Sequence, residues 1–384
     1  MPVKSIVTSI VFVIAFFDLH SQGKFERNVI DDNVSIGYGI AIADVDGDGN
    51  PDILLADKKQ FVWYRNGDWK RFVMAENLTE HDNVCIAAKD INNDGKAEVA
   101  VGAQWNPGET TDANQSGAVF YLVRPTDPTQ LWTAIKLHHE PTVHRMQWVK
   151  YSKNEYYLVV APLHGRGNKS GEGAGAKLLA YYPAANPKDP WRIDTLENTM
   201  HLTHNFFVDE EKNGSTIYLA GKEGVKPIII TNGSKADGWK KINNMQQAAG
   251  EIQATRNING NSEFFATIEP MHGNNVVVYT KSQSQRLLLD SSLKEGHAIA
   301  VADMLHTGVP QVIAGWRVAD KDGKYGIKLY SAEMDREARW KTTWIDENGM
   351  ACEDLKVADL DNNGKPDIIA SGRASHNLVI YWNR

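Results

Sequence analysis

A unit of about fifty residues recurs along this chain, and it limits the possible folds more than any other feature. Four copies are clear: "IADVDGDGNPDILLAD" (Ile42–Asp57), "AKDINNDGKAEVAVGA" (Ala88–Ala103), "VADMLHTGVPQVIAGW" (Val301–Trp316) and "VADLDNNGKPDIIASG" (Val357–Gly372). Each holds an apolar strand, an acidic or amide-rich Gly turn, and a second apolar strand ending in small residues. Weaker copies, "QWVKYSKNEYYLVVAP", "FFVDEEKNGSTIYLAG" and "ATRNINGNSEFFATIE", fill the gaps and bring the number to seven. Third strand-like runs such as "FVWYRN" and "KLLAYYP" follow. A fourth often opens on Trp and a basic residue, as at Trp69-Lys70, Trp191-Arg192, Trp239-Lys240 and Trp340-Lys341. Four short antiparallel strands per unit, with almost no helical periodicity, describe an all-β chain folded as a seven-bladed β-propeller. The seventh unit stops at its third strand, "LVIYWNR", while "KFERNVIDDN" (Lys24–Asn33) resembles a fourth. This N-terminal strand is expected to pair with the last blade, closing the ring and hiding its edges.

The formal net charge is −7 and no basic block is present, which argues against a nucleic-acid partner. Residues 1–22 read as a secretory signal, with Lys4 as the positive start, "IVTSIVFVIAFF" as the apolar core and "LHSQ" as the end. The apolar run is short for a bilayer span. The expectation is a secreted or periplasmic propeller over residues 23–384, free of the membrane after cleavage and monomeric. Cys85 and Cys352 are the two cysteines and lie in no metal or redox motif, so they read as free buried thiols.

In a blade the innermost strand starts on one face, turns on the other and returns. The "DVDGDG" turns therefore lie on the face opposite the strand starts. Asp44, Asp46, Asp48 and Asp52 offer hard oxygen ligands there, as do Asp359, Asp361, Asn363 and Asp367. Structural calcium, or a well-capped tight turn, is expected at these sites rather than catalysis.

Six residues before the first acid of each turn stand Tyr38, Val84, His297 and Glu353, and in the weaker copies His144, His204 and Glu251. These positions begin the innermost strands and ring the mouth of the central channel. Fourteen residues after the same acid come Lys58, Gln104, Arg317 and Arg373, with His164, Arg166, Lys222 and His272 in the same zone of weaker copies. His81 lies just upstream in the second unit, and Trp105 and Trp316 add flat apolar surface. Strand alternation would turn Arg145, directly after His144, to the opposite side. So many ionisable groups at equivalent positions carry a stability cost tolerated mainly at functional sites.

His, Glu, Arg and Trp suit a polar, hydroxylated ligand such as a carbohydrate. Without a G-x-S-x-G elbow, acyl-enzyme chemistry has no support. Abstracting a proton beside a carbonyl needs a near-neutral base and a cation for the developing enolate. His with Arg, or His with a metal, supplies both.

The runs "HEPTVHRMQW", "VVAPLHGRGN", "EGHAIAVAD" and "IAGWR", together with the "DVDGDG" turns, resemble the FG-GAP/VCBS-type propeller domain of aldos-2-ulose dehydratases and their bacterial relatives. That resemblance implies a lyase that removes water from a keto sugar such as 1,5-anhydro-fructose, with metal ions present. The cupin domains of the fungal enzyme have no counterpart here, so the elimination step is what carries over. Under this reading His144 or His204 takes the proton next to the ketone, and Arg145, Arg166, Arg317 or a divalent metal holds the enolate. His164 or His297 protonates the leaving oxygen, and Trp105, Trp316, Tyr38 and Lys222 bind substrate. His81, His272, Glu251 and Glu353 are candidate ligands for Zn, Mn or Mg. A lyase acting on uronic-acid polymers such as ulvan, and a non-catalytic glycan- or protein-binding propeller, are the alternatives.

Overall fold

The computed structural model describes residues 25–237, 245–256, 262–280, 285–332 and 339–384. The signal expected over residues 1–22 and the Trp239-Lys240 pair lie outside them. Strands of the described residues form seven four-stranded antiparallel sheets arranged as a ring, a β-propeller. Their innermost strands are, in blade order one to seven, Gly39–Ala43, Cys85–Lys89, Val143–Ser152, Thr203–Glu211, Glu251–Arg256, Gly296–Ala302 and Cys352–Ala358. In six blades the four strands are consecutive in the chain. The seventh takes its outer strand, Phe25–Asp31, from the other end of the sequence, where it pairs antiparallel with Asn377–Asn383. The ring closes as the sequence led us to expect.

Apolar side chains fill the space between neighbouring sheets. Leu54, Phe61 and Trp63 of blade one meet Ile86, Val101 and Phe120 of blade two, all buried. Each such side chain contributes about 1.5–3 kcal/mol by leaving water. Toward the axis the strands crowd, and small residues take over. A Cβ on Gly315 would sit 2.4 Å from the Cys352 Sγ, so the thiol of blade seven fills a notch that only glycine leaves. Cys85 and Cys352 are free and buried.

The hairpin turns after the innermost strands satisfy themselves. Asp44 accepts the N–H groups of Gly47 and Gly49, at 2.7 and 2.8 Å, while both glycines hold positive φ. Asp52 is fully buried and accepts from Val45 and Asn66, both at 2.8 Å. Asp367 repeats this with Leu360 and Asn383. Asn363 caps its own turn by accepting from Lys365, 2.7 Å away. Two groups still bring carboxylates within ligating reach of one another: Asp44, Asp46 and Asp48, and Asp359, Asp361 and Asp367.

Candidate functional site

Four innermost strands are irregular where the sequence breaks its apolar pattern. Pairing with the second strand shifts register between Val143 and Arg145, Thr203 and Phe206, Gly296 and Ala298, and Cys352 and Asp354. Each is a β-bulge, and an extra residue re-aims the side chains beside it. The residues so displaced include His144, His204, His297 and Glu353. The bulge also corrects the expectation for Arg145. Instead of pointing away from the axis, it lines the axial cavity with Met146 and Gln147.

Imidazoles from four blades thereby become neighbours. Ring centroids lie 4.6 Å apart for His144 and His204, 4.5 Å for His204 and His272, and 4.8 Å for His272 and His297. Trp105 stacks on His144 at 5.0 Å and caps the cluster. Three of the rings are fixed through Nδ1. His144 donates to the carbonyl of His204 at 2.8 Å, His204 to that of Gly250 at 3.0 Å, and His297 to that of Glu353 at 2.7 Å. A carbonyl at Nδ1 selects the Nδ1–H tautomer and leaves the Nε2 lone pair outward.

Burial holds the imidazoles of His144, His204 and His297 below the ordinary histidine range, helped by the positive charge of Arg145 or Arg317. His272, exposed on one side, is desolvated by the rings packed against it. His204 falls to about 3, and His144, His272 and His297 move in the same direction. At neutral pH they are uncharged, which suits a metal ligand, but imidazoles held so low are too weak as bases to take a proton beside a ketone. Nor does the uncharged form suit the acid role expected of His297.

The Nε2 atoms of His204 and His272 approach to 2.6 Å. Two lone pairs at that separation need a proton or a cation between them. His204, His272 and His297 each offer a nitrogen within 4.8 Å of the other two. Three neutral imidazoles, two with their second nitrogen held by a carbonyl, match the donor set and outer support of a transition-metal site. The residues present fit a divalent cation.

The remaining candidates divide. Glu353 is buried and receives Arg317 at 2.6 Å and Arg373 at 3.5 Å, with its other approach 4.0 Å from His297 Nε2. Glu251 stands behind the cluster, its Oε1 3.1 Å from His204 Nδ1 and its Oε2 bonded to Asn205. It backs an imidazole rather than facing a metal, and burial pushes its carboxyl up to about 7. His164 bridges through its backbone to Leu202 at the rim, and the contacts that tie the four rings together do not include it. Its Nδ1 is buried without a hydrogen bond. His81 is held through its backbone by Gln104 and Thr79, outside the cluster.

Arg166 and Lys222 pin rim loops: Arg166 pairs with Glu140 at 3.0 Å, and Lys222 donates to the carbonyl of Gly171 at 3.1 Å. Tyr38 is buried beneath the Arg373 guanidinium, 5.4 Å from its ring. Trp316 requires a correction. It is fully buried between blades, bonded to the carbonyl of Lys324 and packed on Trp344, and it offers no face to the mouth. Sequence reasoning missed Asn205, Glu295 and Glu140, which orient Glu251, Arg317 and Arg166 in turn.

The geometry can be set beside known proteins. A family model of the aldos-2-ulose dehydratase β-propeller domain matches residues 116–282, a stretch that contains His144, His164, His204, Glu251 and His272. The resemblance is to that propeller. Models of FG-GAP-like and FG-GAP repeats match residues 44–101 and 86–122. Aldos-2-ulose dehydratase of Phanerodontia chrysosporium is 21% identical over 349 residues, covering 85% of this chain and 38% of that protein. The chain thus spans well under half the length of this relative. This distant similarity supports a carbohydrate-related propeller. Solved structures resemble the fold alone: BBS1N in complex with ARL6DN has a TM-score of 0.57 at 14% identity, covering 94% of this chain and 96% of that one. A chain of the mitotic checkpoint complex has the same TM-score at 11% identity, covering 99% of each.

Proposed function

We propose that this chain is an exported carbohydrate lyase that eliminates water or an alkoxide from a keto sugar of the 1,5-anhydro-fructose kind. The observation that carries the reading is the meeting of four neutral imidazoles from different blades beneath Trp105. His204, His272 and His297 would hold a divalent cation of the zinc or manganese class. When bound, that cation supplies Lewis-acid polarisation of the ketone oxygen.

The chain's own residues prepare the rest. Trp105 and the His144 ring form an apolar wall on which a sugar face can lie. Arg317 fixes Glu353 beside His297. His144 Nε2 already accepts from Arg145 at 3.2 Å, which weakens it as a base. His164, at the rim and outside the four-ring cluster, is the imidazole left to move the proton next to the ketone.

The polymer-lyase alternative needs arginines free to neutralise uronate carboxylates. Arg317 and Arg373 share Glu353, and Arg166 is tied to Glu140. Arg145, which has no carboxylate partner among the described residues, faces the axial cavity below the imidazoles, which supports the small keto sugar. The test is to incubate the full chain with 1,5-anhydro-fructose, a 3-keto-glucoside and ulvan, following absorbance of an unsaturated product. Product from a keto sugar is expected. Product from ulvan alone would move the assignment to the polymer, and tight glycan binding without product to a binding module.

A further inference from the structure

Below the imidazoles the axis is hollow. A cavity of 670 Å³ runs between the innermost strands toward the face of the acidic turns. Its wall on blades one and two is small, built by Gly39, Ala41 and Ala87, while Arg145, Asn205 and Gln253 enter from the other side.

Three cationic side chains line this cavity, and two are neutralised. Lys89 lies 3.2 Å from Glu210, and Lys356 sits 2.8 and 3.0 Å from the two oxygens of Asp354. Arg145 differs. Its Nη1 donates to His144 Nε2 and to the His144 carbonyl, at 3.2 and 3.1 Å. Among the described residues, no carboxylate lies within ion-pair distance of its guanidinium. The Nε and Nη2 hydrogens, which point along one edge of the plane, are left over. That edge is the fork by which arginine grips a carboxylate or another oxyanion with two parallel hydrogen bonds. Glu251 is near Arg145 but outside ion-pair distance, and Asp44 and Asp90 line the same cavity at the acidic turns. A half-buried cation without a direct partner still gains from a counter-charge, and the small wall opposite leaves room for one.

We propose that the axial cavity binds a small oxyanion, of the carboxylate, sulfate or phosphate class, on the Nε/Nη2 edge of Arg145. The site lies below the imidazoles, and its test requires no turnover.

The experiment is calorimetric titration of the full chain with formate, sulfate and phosphate at fixed ionic strength, beside Arg145→Gln and Arg145→Lys. Saturable one-to-one binding is expected for at least one anion, weakened at least about tenfold in both variants, because lysine keeps the charge and loses the fork. The preferred anion separates a planar from a tetrahedral occupant. Crystals soaked in selenate locate the site independently of the variants' folding. An anomalous peak beside Arg145 supports the proposal, and peaks at surface cations alone overturn it. Absence of saturable binding, or equal binding by folded Arg145→Gln, overturns it as well.

Discussion

His204 shows how position sets chemistry. Its ring is 1% exposed, carries its proton on Nδ1 against Gly250, and turns Nε2 toward His272. Its folded pKa of about 3 lies below the ordinary 6.5, so between those values the unfolded chain binds a proton that the folded one refuses. Its contribution to stability is therefore complete above about 6.5 and is lost as pH falls toward 3. Thermal melts from pH 7 to 4 should descend more steeply for the native protein than for His204→Gln, by on the order of a few kcal/mol across the range. Parallel curves would contradict the assignment. Counting along the repeat located His144, His204 and His297, because that position begins an inner strand. It also located Arg317, which reaches Glu353, whereas Trp316, expected as flat surface at the mouth, ends the strand Gln311–Trp316 and alternates into the space between blades. Distance from a turn gives height along the axis and does not give the side of the sheet.

At the scale of the strand, the bulges are what bring the site together. Three of the four leave a trace in the sequence, two polar residues in succession, "HR" in Val143–Met146, "HN" in Thr203–Phe206 and "ED" in Cys352–Leu355, where alternation allows one. The bulge at Gly296–Ala298 carries His297 alone. Read as strict strands, these pairs send Arg145 to the wrong side; read as bulges, both members serve the axis. The opposite hairpins were more legible, since Asp and Gly at fixed offsets are turn chemistry with a local cause. Asp52 was expected as a calcium ligand or as part of a well-capped turn, and its two oxygens accept from Val45 and Asn66. Asp52→Ala leaves the buried Val45 N–H and the half-buried Asn66 N–H without acceptors and should cost about 2–4 kcal/mol in urea unfolding. The metal binding proposed for the imidazoles should not change. A loss of that metal with an unchanged urea midpoint would reverse the reading.

For the whole molecule, closure is the decisive contact. Phe25–Asp31 covers Asn377–Asn383, and Arg27 adds an ion pair to Asp346 at 3.1 Å. Removing residues 25–31 bares a long apolar strand edge, so the truncated chain should lose on the order of several kcal/mol and elute as larger assemblies in size-exclusion chromatography. A truncated chain that stays monodisperse and melts like the native one would argue against closure as a source of stability. Ring closure is also what makes residues far apart in sequence share one mouth, which the repeat revealed. The side-chain pairings within that mouth, such as Glu251 behind His204, depend on angles that no linear pattern carries.

The most direct measurement is the rate of unsaturated-product formation from 1,5-anhydro-fructose as zinc or manganese is titrated into chelator-treated protein. The account predicts that activity returns and saturates near one ion per chain, and that His272→Ala binds the ion at least about tenfold more weakly. A rate that neither chelator nor added metal alters, or a folded and metal-loaded chain that yields no product, would contradict it.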